Sequence, residues 1–299
     1  MKKILVLGGT RFFGKNFVNL LISKNYDVTI ANRGQTPDSF GNQVSRIIVD
    51  RTNETSMKTA FEQTSWDFVI DQICYCPNDA KIACDVFNGK VQKYIFTSTQ
   101  SVYDKNGNQN ERDFDPLNYK IKIGDKSDFD YAEGKRQAEA VFYQNAKFKI
   151  VAMRIPIVLG EEDYTGRLEF HIKKVLNNSP IVIPNLNAKI SFINSSEVAR
   201  FMLWLIESER TKTLSEPINA CSYSNVSISQ IMTLIKVYTC ITPIIHSSGD
   251  KNDCTPFAGE HSRLLDNTKA QNLGFEFSHI ETWLPKLIEA TVLKLKVHK

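Results

Sequence analysis

Residues 4–14 read Ile4-Leu5-Val6-Leu7-Gly8-Gly9-Thr10-Arg11-Phe12-Phe13-Gly14. Four apolar residues that end in a glycine pair are typical of a short, buried parallel strand. Glycines at this point let the backbone turn tightly and approach a pyrophosphate, and the helix that follows directs free N–H groups at the phosphates. The stretch therefore predicts the first turn of a dinucleotide-binding βαβ unit. We expect contacts to the dinucleotide from Gly8, Thr10, Arg11, Phe12, Phe13 and Gly14.

Strand and helix patterns alternate from this turn to about residue 160. Further strands are predicted at 28–31, 44–49, 68–73, 91–96 and 149–157, and a helix at about 130–145. This order implies right-handed crossovers and a parallel sheet that is covered on both faces. The second half is more mixed, with helices predicted at 168–176, 195–206, 228–238 and 282–295 and a strand at 189–193. Ser195 or Ser196 is expected to cap the helix at 195–206.

The pattern predicts an α/β fold with a Rossmann-type, doubly wound parallel sheet and a smaller, mixed α/β C-terminal lobe. We assign residues 1–160 to the dinucleotide-binding domain and residues 161–299 mainly to a substrate-binding lobe. Some later segments are expected to return to the first domain.

Composition narrows the class of protein. The chain has 299 residues, of which 42% are hydrophobic and 23% charged, as in an ordinary globular protein. A net charge of +4 is too weak to indicate a nucleic-acid partner. No apolar run approaches the roughly 20 residues of a membrane helix, and the start does not resemble a signal peptide. We expect a cytoplasmic protein without a membrane partner.

The six cysteines match no zinc-binding spacing, so we expect reduced, mostly buried thiols and no metal.

The end of the second strand bears on the choice of cofactor. It reads Ala31-Asn32-Arg33-Gly34, where a site for NAD usually carries an acidic residue that binds the ribose 2′-hydroxyl. A guanidinium can instead pair with the 2′-phosphate of NADP. We therefore predict NADP, with NAD as the alternative and a solvated turn residue as the other interpretation of Arg33. Asp50, at the end of the third strand, can accept a hydrogen bond from adenine or act as a cap. We expect Asn32, Arg33, Asp50 and Arg51 to contact the cofactor.

The segment Tyr131-Ala132-Glu133-Gly134-Lys135 carries the candidate chemistry. A spacing of four places Tyr131 and Lys135 on one face of a helix. An ammonium group beside a phenol favours the phenolate, which can then act as a general acid/base. Thr99 follows the fifth strand, at the carboxyl edge of the sheet, and can hold the substrate oxygen. The sequence predicts that these three residues act together, the alternative being a surface Tyr/Lys pair.

These motifs resemble the extended short-chain dehydrogenases/reductases of the NAD(P)-dependent epimerase/dehydratase type. Residues 6–14 match the nucleotide fingerprint, 96–103 the strand-five Ser/Thr motif, and 154–160 the segment beside the nicotinamide. Residues 192–199 resemble a strand–helix unit of the substrate lobe. The resemblance implies that Tyr131 is the acid/base, that Lys135 binds ribose and tunes Tyr131, and that Thr99 positions the substrate. It also places Thr97, Pro156 and Val158 at the cofactor.

The chain departs from the family pattern in several places. Arg11 replaces the middle fingerprint glycine, and 70–75 lacks the usual His-x-Ala-Ala run. Residues 117–130 form an insertion, expected as a loop near the substrate mouth. Ile190, with Lys189 beside it, stands where many nucleotide-sugar enzymes carry a diphosphate-binding arginine.

The arginine-containing fingerprint also resembles an atypical branch that includes chloroplast stem-loop-binding proteins, which bind RNA and often lack the Tyr/Lys pair. Two hypotheses result. The first is an NADP-dependent epimerase, dehydratase or reductase that acts on a sugar derivative, with a nucleotide sugar as one candidate substrate and a homodimer as one candidate assembly. The second is a dinucleotide-binding regulatory or RNA-binding protein without turnover. Because this chain keeps the Tyr/Lys pair, the first hypothesis is favoured.

Overall fold

The protein, described here from a computed structural model over residues 2–257 and 260–297, alternates strands and helices along most of its length. The strands are β1 (Lys3–Leu7), β2 (Asp27–Asn32), β3 (Ser45–Ile48), β4 (Trp66–Asp71), β5 (Val91–Thr99), β6 (Gly107–Gln109), β7 (Lys149–Ile155), β8 (Ile157–Leu159), β9 (Ile181–Val182), β10 (Lys189–Ile190), β11 (Phe192–Asn194), β12 (Ile218–Asn219), β13 (Val226–Ser227), β14 (Ile245–His246) and β15 (Arg263–Leu265). The α-helices are α1 (Phe12–Ser23), α2 (Glu54–Phe61), α3 (Pro77–Phe87), α4 (Tyr131–Asn145), α5 (Arg167–Leu176), α6 (Ser195–Glu207), α7 (Ile228–Thr239), α8 (Thr268–Asn272) and α9 (Ile280–Val297).

The central sheet has seven strands in the order β12-β7-β5-β4-β1-β2-β3, and every neighbouring pair is parallel. Its two faces are both covered, as the alternation along β1 shows. Ile4 and Val6 pack into a core with residues of α1 and α6. Leu5 and Leu7 pack into a second core with residues of α3 and α4. Successive residues of a strand point to opposite faces, so a continuous apolar strand must be buried on both sides. The predicted Rossmann-type α/β fold is confirmed.

A second group of elements lies beyond the central sheet. A four-stranded sheet has the order β13-β10-β15-β6, and α5, α7 and α9 enclose a third apolar core. Segments after residue 160 also return to the central sheet: α6 packs into the core with α1, and β12 joins the sheet beside β7. The division at residue 160 remains a prediction.

Two predicted strands are each split in the structure. The strand predicted at 149–157 divides at Pro156 into β7 and β8, because proline cannot donate a backbone hydrogen bond to the ladder. The strand predicted at 189–193 divides at Ser191, so that β10 pairs with β15 whereas β11 pairs with β8. The caps predicted for α6 are wrong: Asn194 is the N-cap, and its side chain accepts a hydrogen bond from the Ser196 N–H at 2.9 Å.

All six cysteines are free thiols and four of them are buried, as predicted. Across residues 2–257 and 260–297, no helix combines the length and apolar character needed to cross a membrane.

Candidate active site

The glycine-rich turn between β1 and α1 has the tight geometry that its sequence predicts. Gly9 has a φ of +85°, and a Cβ atom there would lie 2.9 Å from the Val6 side chain. Only glycine fits both conditions. Gly14, a predicted cofactor contact, lies in the first turn of α1. A Cβ atom at Gly14 would lie 2.1 Å from Oε1 of Gln72, so this glycine lets α1 pack closely against the end of β4.

A first cavity of about 640 Å³ lies over the carboxyl ends of β1, β2 and β3. Nine of the predicted cofactor residues line it: Gly8, Thr10, Arg11, Phe12, Phe13, Asn32, Arg33, Asp50 and Arg51. The cavity therefore adjoins the glycine-rich turn and the start of α1.

The end of β2 carries a cation and no carboxylate. Asn32 Oδ1 accepts a hydrogen bond from the Gly34 N–H at 2.8 Å and so holds the turn in which Arg33 stands exposed. Across the cavity, the backbone N–H and the hydroxyl of Thr52 both donate to Asp50 Oδ1. These bonds, with a smaller contribution from the charge of Arg33, hold the pKa of Asp50 below its usual value.

Arg51 follows Asp50 after the end of β3. It forms part of the cavity wall, but its guanidinium is buried and directed into the protein. Nη2 pairs with Asp71 at 2.5 Å, and Nη1 donates to the carbonyl oxygen of Asp79 at 2.7 Å. Arg51 thus ties the end of β3 to β4 and to α3, and both of its Nη groups are already engaged.

A second cavity, of about 380 Å³, adjoins the first one. The two share a wall that consists of Phe12, Phe13, Gln72, Tyr75 and Tyr164. The remaining predicted site residues all line the second cavity: Thr97, Thr99, Tyr131, Lys135, Pro156 and Val158. The structure therefore brings the three candidate catalytic residues to one space, next to the space where the glycine turn opens.

Tyr131 is the first residue of α4, and its side chain is 54% exposed at the cavity mouth. The helix starts here because the Asp130 side chain accepts a hydrogen bond from the Glu133 N–H at 2.8 Å, which satisfies a free donor of the first turn. The Tyr131 ring centre lies 6.0 Å from Lys135 Nζ, one turn further along the same face. The phenol is thus accessible to a ligand and has a cation behind it.

Lys135 is buried, with only 2% of the residue exposed. Its Nζ donates to the carbonyl oxygens of Cys74 at 2.6 Å and Thr97 at 2.8 Å, and lies 4.7 Å from the centre of the Tyr75 ring. An ammonium group has three donors, so two fixed bonds leave one N–H for a ligand in the cavity. Burial raises the pKa of Tyr75 above its ordinary value, which keeps that phenol protonated and unsuited to act as a base.

The end of β5 presents alternate side chains to the cavity. Thr99 Oγ1 accepts a hydrogen bond from the Ser101 N–H at 3.1 Å, and its own proton has no acceptor among the described residues. The Thr97 hydroxyl is buried without any hydrogen-bond partner in the described part of the chain. Ser98, between them, points to the other face and donates to Glu139, which pairs with Arg154. Thr97 and Thr99 therefore retain polar capacity that a ligand can use.

Several residues that line the two cavities were not predicted from the sequence. The Tyr164 ring centre lies 5.8 Å from the guanidinium carbon of Arg11. Arg263 and Phe257, from the C-terminal part of the chain, line the second cavity.

The insertion 117–130 packs along α4, where Gln137 accepts a hydrogen bond from the Lys122 N–H. Among residues 117–130, Lys126 alone lines a cavity, the first one. Its Nζ lies 4.7 Å from the centre of the Tyr75 ring. The insertion therefore meets the first cavity and not the predicted substrate mouth.

His171, in α5, is fully buried. Its ring stacks on Phe257 with 4.4 Å between centroids, and its nitrogens contact the Thr255 hydroxyl and the Arg167 carbonyl. Burial lowers its pKa from 6.5 to about 4, so the ring is neutral.

Comparison with known families agrees with this geometry. The sequence profile of the NAD dependent epimerase/dehydratase family matches residues 4–89 and 80–221. The chloroplast stem-loop binding protein of 41 kDa b from Arabidopsis thaliana is 23% identical over 247 residues. That alignment covers 74% of this chain and 62% of the relative, so the match spans less than two thirds of the relative's length.

Several solved structures share the fold over nearly the whole chain. The UDP-glucose 4-epimerase of Thermotoga maritima, solved with UDP-glucose, has a TM-score of 0.74 at 17% identity and 99% coverage of both chains. The UDP-glucuronic acid 4-epimerase of Bacillus cereus, in complex with NAD, has a TM-score of 0.73 at 18% identity, with 98% of this chain and 96% of that chain covered. The dTDP-glucose 4,6-dehydratase of Bacillus anthracis, in complex with NAD, has a TM-score of 0.72 at 13% identity, with 99% and 97% covered.

Proposed function

Since this chain belongs to the NAD dependent epimerase/dehydratase family, we propose that it exchanges a hydride between a nicotinamide dinucleotide and a hydroxyl- or carbonyl-bearing carbon of a sugar derivative. It is an enzyme of the extended short-chain dehydrogenase/reductase type. The net reaction is an epimerisation or dehydration if the cofactor is regenerated in each cycle, and a reduction or oxidation if it is not. A nucleotide sugar is the candidate substrate, as in the structural neighbours whose names include one.

One observation carries the proposal: Tyr131, Thr99 and Lys135 line a single cavity that adjoins the open space above the glycine turn. The fit to a dinucleotide is supported by the tight turn, which only glycine allows at Gly9, and by the unpartnered Thr97 hydroxyl. Phe12, Arg11 and Arg33 would hold its phosphates and ribose, and Pro156 and Val158 would border the nicotinamide.

We propose NADP as the cofactor. Arg33 is exposed at the end of β2, where no carboxylate would repel a 2′-phosphate, and its planar fork can bind one. Asp50 has one carboxylate oxygen occupied by Thr52, so the other is available to the adenine amino group.

In the proposed reaction, the bound nicotinamide supplies the hydride exchange. The deprotonated oxygen of Tyr131 takes the proton of the substrate hydroxyl, and the Tyr131 hydroxyl gives a proton to a carbonyl in the reverse direction. The side chain can do so because it stands at the accessible mouth of the cavity. The free proton of Thr99 donates to the same substrate oxygen and orients it. The buried ammonium of Lys135 lies behind the Tyr131 ring and keeps one N–H for the cofactor ribose.

The retention of this arrangement argues against a protein that only binds a dinucleotide or RNA. A purely structural role would not require an accessible phenol, a threonine with a free proton and a buried ammonium in one cavity. Cytoplasmic location and a homodimeric assembly stay predictions.

The proposal is tested by incubating the purified protein with NADP or NAD and a panel of UDP-hexoses, dTDP-hexoses and hexose phosphates. Reduced-cofactor absorbance and chromatography of the sugar together detect net oxidation, epimerisation and dehydration. We expect at least one sugar to be converted and the Tyr131→Phe variant to lose that conversion. Steep, salt-sensitive binding of RNA by a protein that converts no sugar on the panel would contradict the proposal.

A further inference from the structure

A second phenol stands in the wall that the two cavities share. Tyr75 ends the stretch 70–75, which lacks the usual His-x-Ala-Ala run, and it is partly buried and lines both cavities. Its hydroxyl makes no hydrogen bond with any of residues 2–257 and 260–297. Tyrosine hydroxyls that are withdrawn from water usually have a hydrogen-bond partner. The free hydroxyl in this wall therefore points to a partner that arrives with a ligand.

The backbone of Tyr75 is fixed against two helices. Its N–H donates to Oδ2 of Asp79, in the first turn of α3, at 2.8 Å. Its carbonyl oxygen lies against Gly134 of α4, where a Cβ atom would come within 2.6 Å of it. Gly134 lies between Tyr131 and Lys135 in the sequence. The close approach that glycine allows therefore joins Tyr75 to the helical turn that carries both of these residues.

Two ammonium groups contact the ring of Tyr75. Nζ of Lys135 and Nζ of Lys126 each lie 4.7 Å from its centre. A cation over an aromatic face contributes about 0.5–1 kcal/mol at an exposed site, and more where water is excluded. Lys126 belongs to the insertion 117–130 and lines the first cavity. The insertion therefore supports the ring of Tyr75 in addition to packing along α4.

The hydroxyl of Tyr75 is suited to donate a hydrogen bond and not to exchange a proton. Burial raises the pKa of Tyr75, and the phenols of Tyr164 and Tyr131 add to the rise. Both of these side chains line the second cavity. Because the raised pKa keeps the hydroxyl protonated at neutral pH, Tyr75 remains a donor in either protonation state of Tyr131.

We propose that the Tyr75 hydroxyl donates a hydrogen bond to a ribose hydroxyl in the nicotinamide half of the cofactor. The inference rests on the proposed function and adds a cofactor-binding residue to it. The nicotinamide half is chosen because Tyr75 contacts Lys135 and borders the second cavity, whereas Arg33 and Asp50 line only the first. A donor at this point holds the ribose and so keeps the nicotinamide beside Tyr131.

The test is isothermal titration calorimetry of the purified protein with four probes. NADP and NAD are the dinucleotides, and adenosine 2′,5′-bisphosphate and ADP are fragments that lack the nicotinamide riboside. Tyr75→Phe removes only the hydroxyl. Tyr119→Phe is the matched control, because the Tyr119 hydroxyl donates to Glu133 and the residue lines neither cavity.

We expect Tyr75→Phe to weaken the binding of the preferred dinucleotide by about threefold to tenfold, as for the loss of one neutral hydrogen bond. Both fragments should bind to Tyr75→Phe as they do to the wild type. Tyr119→Phe should bind all four probes as the wild type does. A thermal unfolding curve that matches the wild type shows that Tyr75→Phe is folded, so that its affinities report on the contact.

Two results would overturn the inference. The first is dinucleotide binding by Tyr75→Phe that is as tight as that of the wild type. The second is an equal loss with the fragments, which would place the hydroxyl at the adenosine half. Tyr75-dependent dinucleotide binding by a protein that converts no sugar would count against the proposed function alone. Sugar conversion together with dinucleotide binding that does not depend on Tyr75 would count against this inference alone.

Discussion

The ammonium group of Lys135 lies 2.8 Å from the carbonyl oxygen of Thr97, and this bond fixes the first turn of α4 against the end of β5. Thr99 is two residues beyond Thr97 and faces the same side of the strand. Tyr131 is one helical turn before Lys135. A single buried contact therefore sets the phenol, the threonine hydroxyl and the ammonium around one cavity.

Lys135→Met should reduce both turnover and stability. The loss of the ammonium should lower the rate by about 100-fold or more, because the cation behind the Tyr131 acid/base and the N–H proposed for the cofactor ribose are both removed. Two carbonyl groups are also left without their donor, at a cost of about 1–3 kcal/mol in the free energy of unfolding. Denaturant unfolding and turnover assays measure the two effects. Lys122→Met, in an exposed position, is the control, and full turnover in Lys135→Met would refute the role assigned to the ammonium.

Thr99→Val should fold but turn over poorly. The substitution keeps the shape of the side chain and removes both the bond from the Ser101 N–H and the free hydroxyl proton. We expect kcat to fall by about tenfold or more, with about 1 kcal/mol lost in stability. Thr99→Ser keeps the hydroxyl and should retain most of the activity. Equal activity of the two variants would show that the hydroxyl does not hold the substrate oxygen.

Arg33→Leu should weaken the binding of NADP while leaving that of NAD nearly unchanged. A charge-assisted pair with a phosphate contributes about 1.5–3 kcal/mol, which corresponds to a loss of about tenfold to 100-fold in affinity. Fluorescence titration with both dinucleotides measures the ratio, with Arg112→Leu as the control for net charge. An equal loss for both cofactors, or a wild type that prefers NAD, would contradict the choice of NADP.

His171 should make the protein less stable in mild acid. Its pKa is about 4 when folded and 6.5 when unfolded, so the unfolded chain binds the proton more strongly. The stability present above pH 6.5 is therefore lost as the pH falls towards 4, by up to about 3 kcal/mol. Chemical denaturation between pH 7 and 4 should show a shallower loss in His171→Gln than in the wild type. The exposed His261→Gln should follow the wild type, and parallel curves for all three would contradict the prediction.

The parts of the candidate site that depend on local patterns could be predicted from the sequence. The glycine turn, the end of β5 and the Tyr131/Lys135 spacing each lie within one element, and their elements meet because parallel strands end at one edge of the sheet. The breaks at Pro156 and Ser191 were not predicted, because a continuous apolar run does not show where a strand ends and the next one pairs with a different neighbour. The burial of Arg51 was missed because its partners lie 20 and 28 residues away.

Arg263 shows the limit of sequence reasoning most plainly. It is separated from Ile190 by more than 70 residues, and only the pairing of β10 with β15 brings it to the cavity. His171 likewise became a core residue through Phe257 and Thr255, which no periodicity in α5 indicates.

The most direct measurement is turnover of Tyr131→Phe, beside its NADP affinity, on the sugar that the wild type converts. The side chain is half exposed, so folding and cofactor binding should be unchanged, within about 0.5 kcal/mol of wild-type stability. We expect the rate to fall by about 10²–10⁴, as befits removal of a general acid/base. Wild-type turnover by a Tyr131→Phe protein that binds NADP normally would contradict the account.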